Sequence, residues 1–448
     1  MIQEQSKKRK IAVGLDIGTT KICALVVEET DAGSYNILSR AETKNLGVNR
    51  GVIVNIEKTV SAIKTVISVA EQQSGIKIKD VVVGLAGDHV EAFSDISTIT
   101  ISNKNNIITQ SDIDRVINDL SRSKISADRR IIHIVPYEYI VDGQDGIHDP
   151  RGMSGIKLQA NVHIVSGLET ALKNIYVCVE EKAGLSLKKI MLEPIASSQA
   201  LLSEDEEEVG ICLIDIGGGT TDITIFENNV LRYTTVIGIG GNNITEDIRR
   251  AFFTTTLEAE RIKCTHGHTF LPTMMSKDET FMISGVGGRQ PKEVTKGTLC
   301  SVIQPRMVEL FQWCKEELDK AGYLDKLGAG VVITGGSALF AGTDELAANI
   351  FNLPVRIGYP SIQKYRGLTD DIGNPKYSTV VGLALEALKL NEGLEVEYLD
   401  DENQVADTNE TILDKKEGSQ VSSKKGNNKF KLKKGSFIKG ATDFLKKL

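Results

Sequence analysis

The phrase Asp16-Ile17-Gly18-Thr19-Thr20-Lys21 recurs, nearly letter for letter, as Asp215-Ile216-Gly217-Gly218-Gly219-Thr220-Thr221-Asp222. Each copy follows a hydrophobic run (residues 11–15 and 209–214) and precedes a second β-type run (residues 22–27 and 223–226). The pattern predicts strand, tight turn, strand, once in each half of the chain. Glycines let backbone N–H groups approach an anion closely, and threonine hydroxyls add donors. An aspartate cannot touch a phosphate without repulsion, so the leading carboxylates point to a hydrated Mg²⁺. Two such turns facing each other would hold a polyphosphate between two domains.

At 448 residues the chain is long enough for two or three domains, each with its own core. A net charge of −7 argues against nucleic acid as a partner. The six cysteines are scattered and lack a Cys-x-x-Cys pair, which fits reduced core thiols in a cytoplasmic protein. Basic residues near the start are not followed by a long apolar stretch, so neither a signal peptide nor a membrane-spanning helix is expected.

Helical spacing of Val60, Ile63, Val66, Ile67 and Ala70 predicts an amphipathic helix over 57–73, followed by a buried strand over 79–85. From 87 to 166 the texture changes to Ile/Thr/Ser alternation around a polar helix (111–121), the mark of a small α+β module set into the first half. A helix over 169–183 and a strand over 189–192 lead to Glu193-Pro194. In the second half, helices are predicted over 244–253, 256–263 and 303–321, with 264–298 irregular and polar. A strand over 330–334 meets Gly335-Gly336-Ser337, and helices follow over 344–350 and 376–390. Folded character stops near Leu390, and residues 391–428 read as a flexible linker.

Three further features point to the same cleft. Gly335-Gly336 could set bare backbone against an adenine or phosphate. Glu260 and Lys263 share a helical face and could hold a ribose and base, although such i,i+3 pairs are commonly solvated salt bridges. Glu193 could orient a water for attack on a γ-phosphate. His266-Gly267-His268 and the other histidines have no metal-ligand spacing.

The last twenty residues contain seven lysines and one aspartate, a net charge of +6. Phe437, Ile438, Ala441, Phe444, Leu445 and Leu448 would form one face of a helix, with Lys439, Lys446 and Lys447 off it. Each basic residue gains roughly 1 kcal/mol near an anionic leaflet, so this segment reads as a reversible membrane anchor.

The two phosphate phrases, the Glu193-Pro194 segment, Gly335-Gly336 and the small-residue helix 377–384 resemble the signature of the actin, sugar-kinase and heat-shock chaperone superfamily. That resemblance implies an actin-like, two-domain α/β fold around an ATP cleft. Ile283-Ser284-Gly285-Val286-Gly287-Gly288-Arg289, Val302-Ile303-Gln304-Pro305-Arg306, the inserted module and the basic tail narrow it to the FtsA cell-division family. Such proteins bind ATP, polymerise as protofilaments and tether FtsZ to the cytoplasmic face of the membrane at the division site. Carried over by position, Asp16, Asp215 and Asp222 would surround Mg²⁺ largely through water. Gly18, Thr19, Thr20, Lys21 and Gly217, Gly218, Gly219, Thr220 and Thr221 would contact phosphates. Gly335, Gly336 and Ser337 would contact adenosine, with Glu260 and Lys263 at the nucleoside. Glu193, with Asp16 and Asp215, would serve a slow hydrolysis, and Arg306 would lie on the surface for the FtsZ tail, in the 2B region. The implied subdomains are 1A (1–86, 166–197 and 369–390), inserted 1C (87–165), 2A (198–242 and 302–368) and 2B (243–301), then linker (391–428) and membrane helix (429–448). Anionic lipids, other copies of the chain and other division proteins are the implied partners. The rival readings are a small-molecule (sugar or acid) kinase, a chaperone ATPase and an MreB-like filament.

Overall fold

The computed structural model describes residues 9–30, 34–103, 105–120, 125–360, 365–367 and 372–390. The expected linker and terminal membrane helix lie outside the described residues.

The duplicated phrase is the centre of a duplicated sheet. In the first half, strand Lys10–Ile17 pairs antiparallel with Lys21–Glu29 and parallel with Asp80–Leu85. In the second, Ile211–Ile216 pairs antiparallel with Thr221–Glu227 and parallel with Gly330–Thr334. The outer antiparallel neighbours are Tyr35–Lys44 and Val230–Ile237, and the outer parallel ones are Ser186–Leu192 and Val355–Ile357. The central strands are apolar on both faces because helices cover both, as parallel sheets require.

One edge differs from the sequence reading. The short strand Tyr365–Gly367 adds in parallel to Tyr35–Lys44, so it completes the six-stranded sheet of the first half, although the sequence places 302–368 in the second. The chain thus crosses back before residue 369.

Residues 91–168 form a separate four-stranded antiparallel sheet with the helix Gln110–Leu120 on it and its own core around Ile113, Val116, Leu158 and Val162. Pro136 sits inside the long strand Arg129–Val141, at a register shift opposite Val162, where a missing donor is tolerated.

Between the two main sheets lie the helices Glu193–Leu201 and Ser378–Leu390. Ala196, Ala200, Val380, Leu383 and Ala384 pack there with Cys23 and Val82 of one sheet and Leu213 and Val332 of the other. Their crossing is close: a Cβ on Gly382 would fall within the Ala196 carbonyl group, 2.9 Å from the Ala196 Cα.

Two stretches correct the sequence reading of the second half. Within 264–298, Thr280–Ile283 and Lys292–Thr295 form a hairpin that turns Phe281, Ile283 and Val294 into the core. The following helix starts at Lys296 and not at 303. Thr295 caps it through the Thr298 N–H, and it runs 25 residues through Pro305, across the boundary expected at 301.

Candidate functional site

The two glycine-threonine turns meet tip to tip. A Cβ on Gly218 would overlap the Thr20 methyl and lie 3.1 Å from Thr20 Oγ1, and one on Gly219 would lie 2.8 Å from Thr19 Oγ1. Only glycine lets the second turn come this close to the first. The first turn is braced from outside its own hairpin: Asn45 Nδ2 donates to the Gly18 carbonyl (2.8 Å), and the Asn45 N–H donates to the Thr20 carbonyl (2.9 Å). The second turn is braced by a helix N-terminus. Gly241 N–H donates to the Gly217 carbonyl (2.9 Å) and Asn242 N–H to the Gly218 carbonyl (2.8 Å). Thr221 Oγ1 donates to the Ile239 carbonyl (2.8 Å), so of the predicted phosphate threonines Thr221 is buried structure and Thr20 is exposed.

Four carboxylates gather behind the turns. Asp16 ends the first central strand, and Lys21 Nζ lies 2.5 Å from its Oδ2. Burial disfavours the Lys21 ammonium, but Asp16 outweighs it, with Cys23 and Glu193 adding, so Lys21 stays charged above its ordinary range. Asp215 and Asp222 face each other across the second hairpin ladder. Ser197 Oγ donates to Asp215 Oδ2 (3.0 Å), and Thr379 Oγ1 approaches the same oxygen at 3.4 Å. Burial lifts Asp215 to about 6, against the Ser197 hydrogen bond and with Asp16 assisting. Burial and Asp215 lift Asp222 to about 8, while Thr220 opposes. Asp222 Oδ1 is buried without any partner. Glu193 is pushed well above the ordinary carboxylate range by burial and by Asp16, Asp222 and Asp215. It does not end a strand as the sequence suggests; it opens the helix Glu193–Leu201, and a Cβ on Gly84 would press against its side chain.

The predicted nucleoside residues also converge. Lys263 Nζ contacts Glu260 Oε2 (2.7 Å), Thr245 Oγ1 (2.8 Å) and the Gly241 carbonyl (3.1 Å). A Cβ on Gly241 would lie 2.7 Å from Ser337 Oγ. Gly335 has φ +87, and a Cβ there would overlap Asp215 Oδ1, so this turn needs glycine both for its backbone and for its contact. Gly336 is exposed, and a Cβ on it would meet nothing within 4 Å.

Arg306 stands apart from this group. Its guanidinium donates to Asp247 (2.7 and 3.1 Å) and to Glu309, tying the helix Lys296–Lys320 to Gly241–Phe252. Asn45, Ser197, Thr245 and Thr379 support the site without having been singled out in the sequence. The one available signal was polarity on inward-facing positions, such as Ser197 next to Ala196 in a buried helix.

The donor set suits a polyphosphate and a hydrated cation. Bare glycine backbone and hydroxyls line the contact of the turns, and an orphaned carboxylate oxygen sits beneath it. Among the described residues, no three His, Cys, Asp or Glu side chains are grouped so as to hold a metal ion directly.

The family model described as Cell division protein FtsA matches residues 212–382, and that of the SHS2 domain inserted in FTSA matches residues 87–166. The chain is 41% identical over 386 residues to the cell division protein FtsA of Pseudomonas aeruginosa, covering 86% of this chain and 91% of that one. It is 40% identical to the Neisseria meningitidis protein (87% and 93% covered) and 36% identical to the Bacillus subtilis protein (84% and 82%). Among solved structures it resembles a PilM-PilN type IV pilus biogenesis complex (TM-score 0.62, 17% identity, 84% of this chain and 98% of that one). It also resembles MreB5 of Spiroplasma citri bound to ADP (TM-score 0.51, 14% identity, 85% and 97%). The fold is therefore that of the actin-like ATPases, with an inserted SHS2 domain.

Proposed function

The chain belongs to the FtsA family of cell-division proteins, and from that premise we propose that it is an ATP-dependent, membrane-bound adaptor for FtsZ. The observation that carries this reading is the tip-to-tip meeting of two glycine-threonine turns over three buried aspartates and the half-buried Glu193. Gly18, Thr19, Gly217, Gly218, Gly219 and Thr220 would take the phosphates, Gly335, Gly336 and Ser337 the adenosine, and Glu260 with Lys263 the nucleoside. Asp16, Asp215 and Asp222 would hold Mg²⁺ through water. The ion would neutralise charge that the phosphates add to an already acidic site.

Burial and the neighbouring carboxylates make Glu193 and Asp222 hold protons more readily than ordinary carboxyls. In an environment this acidic, Glu193 would act as an orienting group for water, which supports a slow hydrolysis serving as a switch. ATP would close the halves on the shared helices Glu193–Leu201 and Ser378–Leu390 and favour protofilament contacts. A filament would gather many copies of the basic 429–448 segment on an anionic surface, turning weak single contacts into firm attachment. Among the described residues no helix is long and apolar enough to cross a membrane, which suits peripheral attachment. For the FtsZ tail, the proposed site is the surface where Arg306 meets Asp247 of the 2B region, and a tail contacting that guanidinium would compete with Asp247 and Glu309. Family membership speaks against the small-molecule kinase.

The test is sedimentation of the full chain with anionic vesicles, with and without Mg·ATP and an FtsZ C-terminal peptide. We expect ATP to increase sedimentation and the peptide to co-sediment. Removing residues 429–448 should abolish vesicle binding while ATP binding survives. Vesicle binding by the truncated chain refutes the anchor, and a monomer indifferent to ATP, peptide and vesicles refutes the whole reading.

A further inference from the structure

The segment between strand Tyr35–Lys44 and helix Ile56–Ser74 has so far been only a connection. It folds back on itself through the pair Val48–Asn49 and Val52–Ile53, with Arg50 and Gly51 at its tip. Gly51 at φ +76 is unstrained. Arg50 at φ +47 is a long-chain residue held in the left-handed region, where glycine or asparagine would be favoured by about 1 kcal/mol.

That tip touches three things. The Gly51 N–H donates to Thr19 Oγ1 (3.1 Å), in the first phosphate-type turn. The Arg50 Cα lies 3.0 Å from where a Cβ on Gly219 would sit, in the second turn. A Cβ on Gly51 would lie 2.5 Å from the Ala86 carbonyl, at the entry to the inserted domain. The Arg50 guanidinium then reaches over Gly238, with Nη1 3.7 Å from a Cβ position there. It is exposed, and it makes none of the ion pairs or hydrogen bonds formed among the described residues. Lys21, by contrast, is committed to Asp16, and Lys263 to Glu260 and Thr245.

The order of contacts gives the Arg50 backbone a position along the cleft. Ser337 and Lys263 gather at Gly241, which holds Gly217, and Asn242 holds Gly218, while Gly219 is the glycine that meets Arg50. The nucleoside residues are thus at one end and the Arg50 backbone at the other, from which an exposed side chain, recorded over Gly238, has the reach to swing its guanidinium to the phosphates. A planar, unpaired guanidinium matches the fork geometry of a phosphate better than an ammonium does.

We propose that Arg50 is the clamp for the outermost phosphate of a nucleoside triphosphate, and so the residue by which this site tells triphosphate from diphosphate. The proposal rests on the nucleotide reading above. A diphosphate ends short of Arg50 and leaves it free. A triphosphate takes up the guanidinium and with it fixes the turn that abuts Thr19, Gly219 and Ala86 together.

The experiment is calorimetric titration of the full chain with Mg·ATP and with Mg·ADP, comparing wild type, Arg50→Gly and Arg50→Lys. Arg50→Gly removes the guanidinium while suiting the left-handed backbone, so the turn is kept. Loss of a charge-assisted pair predicts that Arg50→Gly binds ATP about 10- to 100-fold more weakly, with ADP affinity within about twofold of wild type. Arg50→Lys should fall between. If ATP and ADP weaken together, or if neither changes, Arg50 is a strut between the halves and the proposal is overturned. A wild-type chain that binds neither nucleotide overturns the proposal together with the reading beneath it.

Discussion

Adding one methyl group at Gly382 should cost stability, and adding one at Gly336 should not. A Cβ on Gly382 would fall within the Ala196 carbonyl group, and that obstacle is backbone, so no rotamer change relieves it. The helix carrying Gly382 cannot retreat either. On its other side a Cβ position on Gly14 already lies 2.6 Å from Ala384 N and 2.7 Å from the Val380 carbonyl. Ordinary contact requires a little over 3 Å, so the two helices must part by about 1 Å or more in a core with no free volume. Overpacking of this kind costs about 1–3 kcal/mol, and the rigidity on both sides puts Gly382→Ala at about 3 kcal/mol. The displaced helix also carries Glu193 and Ser197, so nucleotide affinity should fall as well. Gly336 is exposed with nothing within 4 Å of its Cβ position, and Gly336→Ala should leave stability within about 0.5 kcal/mol of wild type. Its methyl group would occupy the space assigned to adenosine, so ATP affinity should drop at least several-fold. Urea titration and thermal melting of the ligand-free chain read the first effect, and ATP titration reads the second. A Gly382→Ala protein within 1 kcal/mol of wild type refutes the packing argument, and a Gly336→Ala protein with unaltered ATP affinity refutes the placement of the adenosine.

Two other sites give sharp expectations. His163 is buried with neither ring nitrogen partnered and is lowered by burial to about 4, while His133, which accepts from the Leu192 N–H (3.0 Å), is lowered by burial and Lys189 to about 3. Both bind fewer protons folded than unfolded, so their contribution is complete above about 6.5 and is lost as pH falls to about 4 for His163 and about 3 for His133. Each should cost about 2 kcal/mol by pH 5, and His163→Leu should remove its share while leaving stability at pH 7 equal or higher. Acid melts that are identical for wild type and His163→Leu would contradict this. Lys189 and Glu386 form a buried pair at 2.5 Å, with Gln199 also reaching Glu386. Lys189→Met leaves the carboxylate only Gln199 and the more distant Lys389 (3.8 Å) and should cost about 2 kcal/mol, whereas Lys189→Met with Glu386→Leu should recover most of it. A double variant no more stable than the single one would show that the pair is not the unit.

Much of this was legible in the sequence because the duplicated phrase carries its own context. Asp16 and Asp215 each end an apolar run, and the glycine-threonine turns can only be hairpin tips between such strands. The helix 57–73 was legible from Val60, Ile63 and Ile67 for the same reason. What escaped notice was set by distant partners. The hairpin at 280–295 has three successive apolar residues in one four-residue strand (Phe281, Met282 and Ile283) and a single one in the other (Val294), so neither shows a period of two. The helix through Pro305 was legible from residue 303 on, but its first turns from Lys296 were not, because Lys296, Gly297 and Thr298 offer no apolar spacing and the start is set by the Thr295 cap. Asn45, Arg50 and Thr379 join the site through folding alone, and nothing near them in the chain marks them.

The helix Ser378–Leu390 is the last of the described elements in the chain. It spans about 20 Å. Near its exit, Glu386 is bolted to Lys189, and at its far end Thr379 rests on Asp215. Gly14 and Gly382 seat it so closely that it cannot slip along its axis. Any displacement of this helix is therefore passed to strand Lys10–Ile17 and helix Glu193–Leu201, which carry Asp16 and Glu193. The seating of the helix and the spacing of the cleft carboxylates belong to one mechanical circuit.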